Sequence, residues 1–171
     1  STQSERARMQ AALSRPRCKQ IWKQIVQAKV QSQGELLQAV TGGDGGLQRL
    51  ATTVCSGDTG NVEATAAQRY WSLLFGPGDF LRQRSAPNQN RYLNYGYAVL
   101  HAGVARAVCG LGLNPALGVH HRNKYNAYCL ASDLMEPFRV WVDEAVVELV
   151  GTYGGDAAMD LHIRTALIEA V

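Results

Sequence analysis

NRYLNYGYAVLHAGVARAVC, residues 90–109, decides the fold class. Leu93, Tyr97, Leu100, Val104, Ala107 and Val108 recur at the three- and four-residue spacing of one helical face, which predicts a helix from about Asn90 to Cys109 with a buried apolar stripe. So continuous a stripe places this helix at the centre of the fold. Gly96 and Gly103 are seven residues apart and share a face, where missing side chains let another backbone come close.

Downstream, LGLNPALG at 111–118 stops the helix with glycine and proline, and a short irregular or extended segment carries His120 to Asn126. A further helix is predicted over Ser132 to Val150, with Leu134, Phe138, Trp141, Ala145 and Leu149 on its core side. At 100° per residue, Asp133 and Glu136 fall about 60° apart on roughly the opposite face, pointing out of the core toward solvent or a cleft. Pro137 lacks a backbone N–H and disfavours a helical residue before it, so a kink or a helix start is expected at Glu136.

Upstream, LRQRSAPNQNRY at 81–92 has no periodicity but carries Arg82, Arg84 and Arg91, a basic polar loop of the kind that meets phosphates. GPGDF at 76–80 reads as a turn. A helix opens at Asn61, a good N-cap, and runs through VEATAAQRYWSLLF with Val62, Ala66, Tyr70 and Leu73 on one apolar row. Glu63 lies off that row in the first turn with only alanines beside it; an acid there also suits the helix dipole, and both readings stand. TGGDGG at 41–46 and SGDTG at 56–60 bracket a short helix from Leu47 to Val54. From Cys18 to about Val40, Trp22, Val26 and Val30 form one row with Ile21, Ile25 and Ala28 beside it. Lys19, Lys23 and Lys29 lie among those positions and read as a solvated edge rather than a DNA contact.

With few strand signals anywhere, the fold class is all-α, and 171 residues with 46% hydrophobic content, three Trp and seven Tyr suit one domain spanning 1–171. The net charge of +3 is too small to identify a nucleic-acid binder, but its distribution is informative. Residues 1–30 carry seven Lys or Arg against one Glu, and residues 76–124 carry six against one Asp. From 125 onward two Arg face eight acids, so one surface can hold a polyanion and an acidic pocket can hold cations. Cys18, Cys55, Cys109 and Cys129 lack the close pairing of a zinc site or disulfide scaffold, as expected for free thiols in a reducing cytosol. No run approaches the ~18 to 20 apolar residues of a membrane span, and STQSERARMQ lacks the apolar segment of a signal peptide. A soluble cytoplasmic protein is expected, with no membrane partner.

GVHHRNKYNAYCLASDLMEPFRVWVD, residues 118–143, places two histidines, the basic pair Arg122 and Lys124, and an Asp-x-x-Glu pair close together. This is a metal-site pattern beside a phosphate-binding one, although paired histidines and acidic helix faces are common.

Four segments, IWKQIVQAKV at 21–30, VEATAAQRYW at 62–71, NRYLNYGYAVLHAGV at 90–104 and the 118–143 stretch, together resemble the CRISPR-associated integrase of spacer acquisition, the first of the numbered CRISPR-associated proteins. The resemblance covers most of the chain in the family's order. It implies a metal site of Glu63, His121 and Glu136, which are also the catalytic residues, together with the adjacent acid Asp133; His120 is unassigned, and Lys124 is a basic position near the phosphate. Oxygen ligands with one imidazole suit Mg²⁺ or Mn²⁺ better than structural zinc. The implied reaction is attack of a DNA 3′-hydroxyl on a phosphodiester at the repeat boundary of a CRISPR array, with DNA hydrolysis at the same site. The implied partners are double-stranded DNA as prespacer and repeat, further copies of the chain, and the family's small adaptation protein. Arg82, Arg84, Arg91, Arg122 and Lys124 are the expected DNA contacts. Family members usually carry a β-rich domain ahead of the helical catalytic one; only about twenty residues precede IWKQIV, so that domain is expected to be absent. Two other readings share these residues: a transposase-like integrase of the same family, and a non-catalytic DNA-binding scaffold whose acids are a solvated face.

Overall fold

The structure is a computed structural model that describes residues 2–76, 80–83 and 85–171. Helix α1 spans Thr2–Ala11, α2 Arg15–Thr41, α3 Leu47–Thr52, α4 Val62–Leu74, α5 Asn90–Gly110, α6 Cys129–Leu134, α7 Arg139–Tyr153 and α8 Leu161–Glu169, with short 3-10 turns at Ser56–Asp58 and Glu136–Phe138. Among the described residues there is no strand, so the all-α expectation holds. Helices α1 and α8 were not anticipated, and the predicted turn at 76–80 lies partly outside the described residues.

Two apolar clusters hold the helices together. Trp22, Val26, Val30 and Leu37 of α2 pack with Leu47, Ala51, Ala66 and Tyr70 in the first. Leu93, Tyr97 and Leu100 of α5 pack with Val142, Val146, Ile163 and Leu167 in the second. Trp71, Phe75 and Val104 touch both and join them. Val104 is half-buried, and Ala107 at the end of the predicted stripe is exposed. The close approach expected at the glycines occurs at Gly96, where an added Cβ would strike the Val142 side chain; Gly103 is exposed.

Helix α2 ends where Gly42 takes the left-handed conformation, φ 80°, and its N–H returns to the Gln38 carbonyl. The start of α4 corrects the sequence reading: Asn61 is left-handed and makes no side-chain cap. Asp58 caps instead, accepting from the Val62 and Glu63 amides at 2.9 and 3.0 Å. Leu73 is exposed and Leu74 takes the core position. The polar loop before α5 is tied to buried Asn90, whose Oδ1 accepts from Arg82 and the Gln83 amide while its Nδ2 donates to the Leu81 carbonyl and Asn88.

The largest correction concerns residues 129–153. Pro137 does break the helix, and the chain passes from α6 through the 3-10 turn into α7. A wheel drawn through one continuous helix therefore assigns the wrong faces on either side of the break. Val142, Val146 and Leu149 are the core row of α7, whereas Trp141 and Phe138, expected inside, are 46% and 40% exposed. Asp133 and Glu136, expected to point outward, are buried.

Candidate functional site

The centre of the site is a lysine that the sequence reading placed on a solvated edge. Lys29 lies on the buried side of α2, between Val26 and Val30, and its Nζ donates to Glu63 Oε1 and Glu136 Oε2 at 2.6 Å each. Glu63 comes from the first turn of α4 and Glu136 from the 3-10 turn, so two acids 73 positions apart meet on one cation. Arg139 closes the other side of Glu136, giving Nε to Oε2 and Nη2 to Oε1 at 2.9 Å each, and its guanidinium lies 4.5 Å from the Tyr97 ring. Burial alone would raise the Glu136 carboxyl, but Lys29 and Arg139 outweigh it and hold the group below the ordinary carboxylate value. Burial alone would likewise lower Lys29, but Glu136 and Glu63 hold its ammonium above the ordinary value.

Asp133 organises the histidines. Its Oδ2 accepts from the Val119 and His120 amides at 2.6 and 3.0 Å, and its Oδ1 from the His121 amide at 3.1 Å and the His121 ring Nδ1 at 2.6 Å. A carboxylate only accepts, so Nδ1 donates, and in the neutral ring the lone pair is on Nε2. Gly118 permits this arrangement, since an added Cβ would meet the His121 carbonyl and lie 2.9 Å from Asp133 Oδ2. Trp22 stacks on His120 at 4.1 Å and meets His121 edge-on at 5.9 Å.

Asp143 is a third buried acid, after Asp133 and Glu136. Asp143 accepts from the Tyr70 hydroxyl at 2.8 Å and from the Tyr97 hydroxyl. Burial pushes its carboxyl up to about 6 despite those hydrogen bonds.

The structure thus brings Glu63 to Glu136, and His121 to Asp133. Among the described residues no group of three or more His, Cys, Asp or Glu is gathered closely enough to hold a metal ion. The donor set nevertheless fits a hard divalent cation. Two carboxylates already converge on a single positive charge, and a carboxylate-bound imidazole presenting Nε2 is a common metal-ligand arrangement.

The expected DNA contacts divide. Arg122 and Lys124 are exposed on the loop that follows His121, with the Lys124 ammonium 4.8 Å from the Tyr125 ring. Arg82 binds Asn90 and Asn94 at 2.9 and 2.8 Å, and Arg91 gives Nη2 to the Ala157 carbonyl at 2.6 Å, so both have intramolecular partners. Arg84 lies outside the described residues. Lys29, Arg139 and Asp143 escaped the sequence reading. A charge inside an apolar row, between Val26 and Val30, was the available signal for Lys29, and the three-residue spacing from Glu136 was the signal for Arg139.

Fold and site define a helical domain that gathers acidic groups around a cation beside a basic loop. The family described as CRISPR associated protein Cas1 matches residues 1–156, and the chain belongs to that family. It is 42% identical over 167 residues to the CRISPR-associated endonuclease Cas1 of Neisseria meningitidis serogroup C, covering 96% of this chain and 54% of that protein. It is 31% identical over 137 residues to the CRISPR-associated endonuclease Cas1 1 of Francisella tularensis subsp. novicida, covering 73% of this chain and 43% of that one. The chain therefore spans about half the length of these curated relatives. Among solved structures, a casposase bound to integration product shares the fold, with a TM-score of 0.78 at 22% identity over 99% of this chain and 60% of that one. No helix among the described residues is long and apolar enough to cross a membrane.

Proposed function

We propose that this chain is the helical catalytic domain of a divalent-metal-dependent DNA integrase and endonuclease that acts in the cytoplasm, inserting short DNA fragments into a CRISPR array by 3′-hydroxyl attack on a phosphodiester. The observation that carries the reading is the convergence of Glu63 and Glu136 on one cation at 2.6 Å each, from elements far apart in sequence. Relatives named CRISPR-associated endonucleases support the reaction class. They also favour an array over a mobile element as the destination, although a transposase-like integrase would use the same chemistry.

In this reading Glu63, Glu136 and His121 would hold Mg²⁺ or Mn²⁺, which would supply Lewis-acid stabilisation of the charge that develops in phosphoryl transfer. Asp133, the adjacent acid, acts through His121: it holds the Nδ1 proton and fixes the ring. Arg139 fixes both oxygens of Glu136. Arg122, Lys124 and Arg84 grip the DNA backbone without reading sequence, while Arg82 is engaged with Asn90 and Asn94 and Arg91 with the Ala157 carbonyl. Handling two fragment ends requires two sites at a fixed separation, so the active form is a homo-oligomer, assisted by the family's small adaptation protein. The exposed Phe138 and Trp141 pair, 5.0 Å between centroids, is a surface suited to self-association.

The test is strand transfer and nicking on a branched half-site DNA with Mg²⁺ or Mn²⁺. Glu63→Ala, His121→Ala and Glu136→Ala should each lose on the order of 100-fold or more while DNA binding persists. Chelator should abolish activity in the parent. Full activity in any of the three variants, or chelator-resistant activity, overturns the assignment.

A further inference from the structure

Lys29 is the buried group that the metal reading leaves without a role. Its ammonium is 2.6 Å from both Glu63 Oε1 and Glu136 Oε2, so those two oxygens are at most about 5.2 Å apart across it. A divalent cation sits about 2.0 to 2.2 Å from carboxylate oxygens, so one ion could bridge the same two oxygens only with the ammonium gone. The two cations cannot share the space.

We propose that Lys29 is a resident cation that holds Glu63 and Glu136 together without metal and is displaced when the divalent ion binds. This rests on the metal reading above and adds a competitor to it. Without a cation between them, the buried Glu136 carboxylate and the partly buried Glu63 carboxylate would repel. Lys29 cancels that repulsion from within the chain, whereas Arg139 lies against Glu136 alone. The side chain is 11% exposed on a flexible four-carbon stem, so the ammonium can leave the gap by a change of rotamer while α2 stays anchored by Val26 and Val30. The alternative, a permanent structural salt bridge, would leave the acids unavailable to metal.

The proposal separates affinity from fold. Removing the competing charge should tighten metal binding, while retaining charge in a larger head group should not. Mn²⁺ binding to the protein, free of DNA, is measured by calorimetry for the parent, Lys29→Met, Lys29→Arg and Glu136→Gln, with circular dichroism melts in chelator to establish folding. The expected result is binding at least about tenfold tighter in Lys29→Met than in the parent, no tightening in Lys29→Arg, and loss in Glu136→Gln. The Mn²⁺-induced rise in melting temperature should also be larger in Lys29→Met than in the parent.

Should Lys29→Met fail to fold, ammonium-detected ¹⁵N NMR of the parent gives an independent answer. A Lys29 ammonium signal protected by its two carboxylates in chelator should vanish as Mg²⁺ is titrated in. Equal affinity in the parent and Lys29→Met, or an ammonium signal unchanged at saturating Mg²⁺, overturns displacement and leaves the metal reading standing. Absence of binding in the parent and Lys29→Met alike, with both folded, overturns the metal reading as well.

Discussion

Replacing Asp133 by alanine removes four hydrogen bonds with one side chain. The buried carboxylate accepts from the amides of residues 119, 120 and 121 and from the His121 ring. The four losses are unequal. Val119 is buried, so its amide is left without a partner and incurs a desolvation penalty of about 1 to 3 kcal/mol. His120 and His121 are exposed, so their groups regain water and each lost bond costs only about 0.5 to 1 kcal/mol net. The sum is about 2.5 to 6 kcal/mol, a large share of the ~5 to 15 kcal/mol that keeps a domain folded. Asp133→Asn preserves volume but puts an amide donor against backbone donors, so it should recover less than half of the loss. Urea unfolding followed by circular dichroism measures both variants against the parent, through the midpoint at constant slope. A loss below about 1 kcal/mol in Asp133→Ala would show that the 119–121 segment is held by something else, and the account of His121 orientation would fall with it.

Further outcomes follow from other parts of the fold. The folded Asp143 carboxyl, at about 6, lies above its unfolded value of 3.8, so the folded chain binds the extra proton and stability falls as pH rises between those values. Asp143→Asn should remove that slope, and a parent-minus-variant stability difference that is flat from about pH 4 to 6 would refute it; Glu136, shifted the opposite way, cancels in the difference. Leu100→Ala should cost about 2 to 5 kcal/mol in the same urea assay, since Leu100 is 2% exposed in the second cluster, and a change under about 0.5 kcal/mol would mean that α5 is wrongly oriented. Arg122→Ala and Lys124→Ala should each weaken all DNA sequences about equally and reduce the salt slope of binding by about one, and affinity insensitive to salt would remove the electrostatic account.

Repeating local pattern was enough to write α2, α3, α4 and α5, but not α1 or α8. Spacing along 93–108 and 22–30, the glycine runs at 41–46 and 56–60, and Pro137 are interactions between near neighbours, and they set where α2, α4 and α5 run and where the last long helix breaks. Glu63, His121, Asp133 and Glu136 were legible as candidates because the order of segments resembles a family, while their spacing alone was too common to single them out. Which side chain faces which was a different matter. Lys29 looked like a solvated edge because periodicity registers a charge without registering the two acids that arrive from α4 and the turn before α7. Asp133 and Glu136 looked solvent-facing because burial of a charge is tolerable only with partners, here the amides of 119–121, Lys29 and Arg139, and those partners lie three to 107 positions away. Trp141 and Phe138 moved from core to surface because the break at Pro137 resets the phase of the wheel. Backbone preference is local and can be read along the chain, whereas the pairing of buried charges depends on which distant elements pack together.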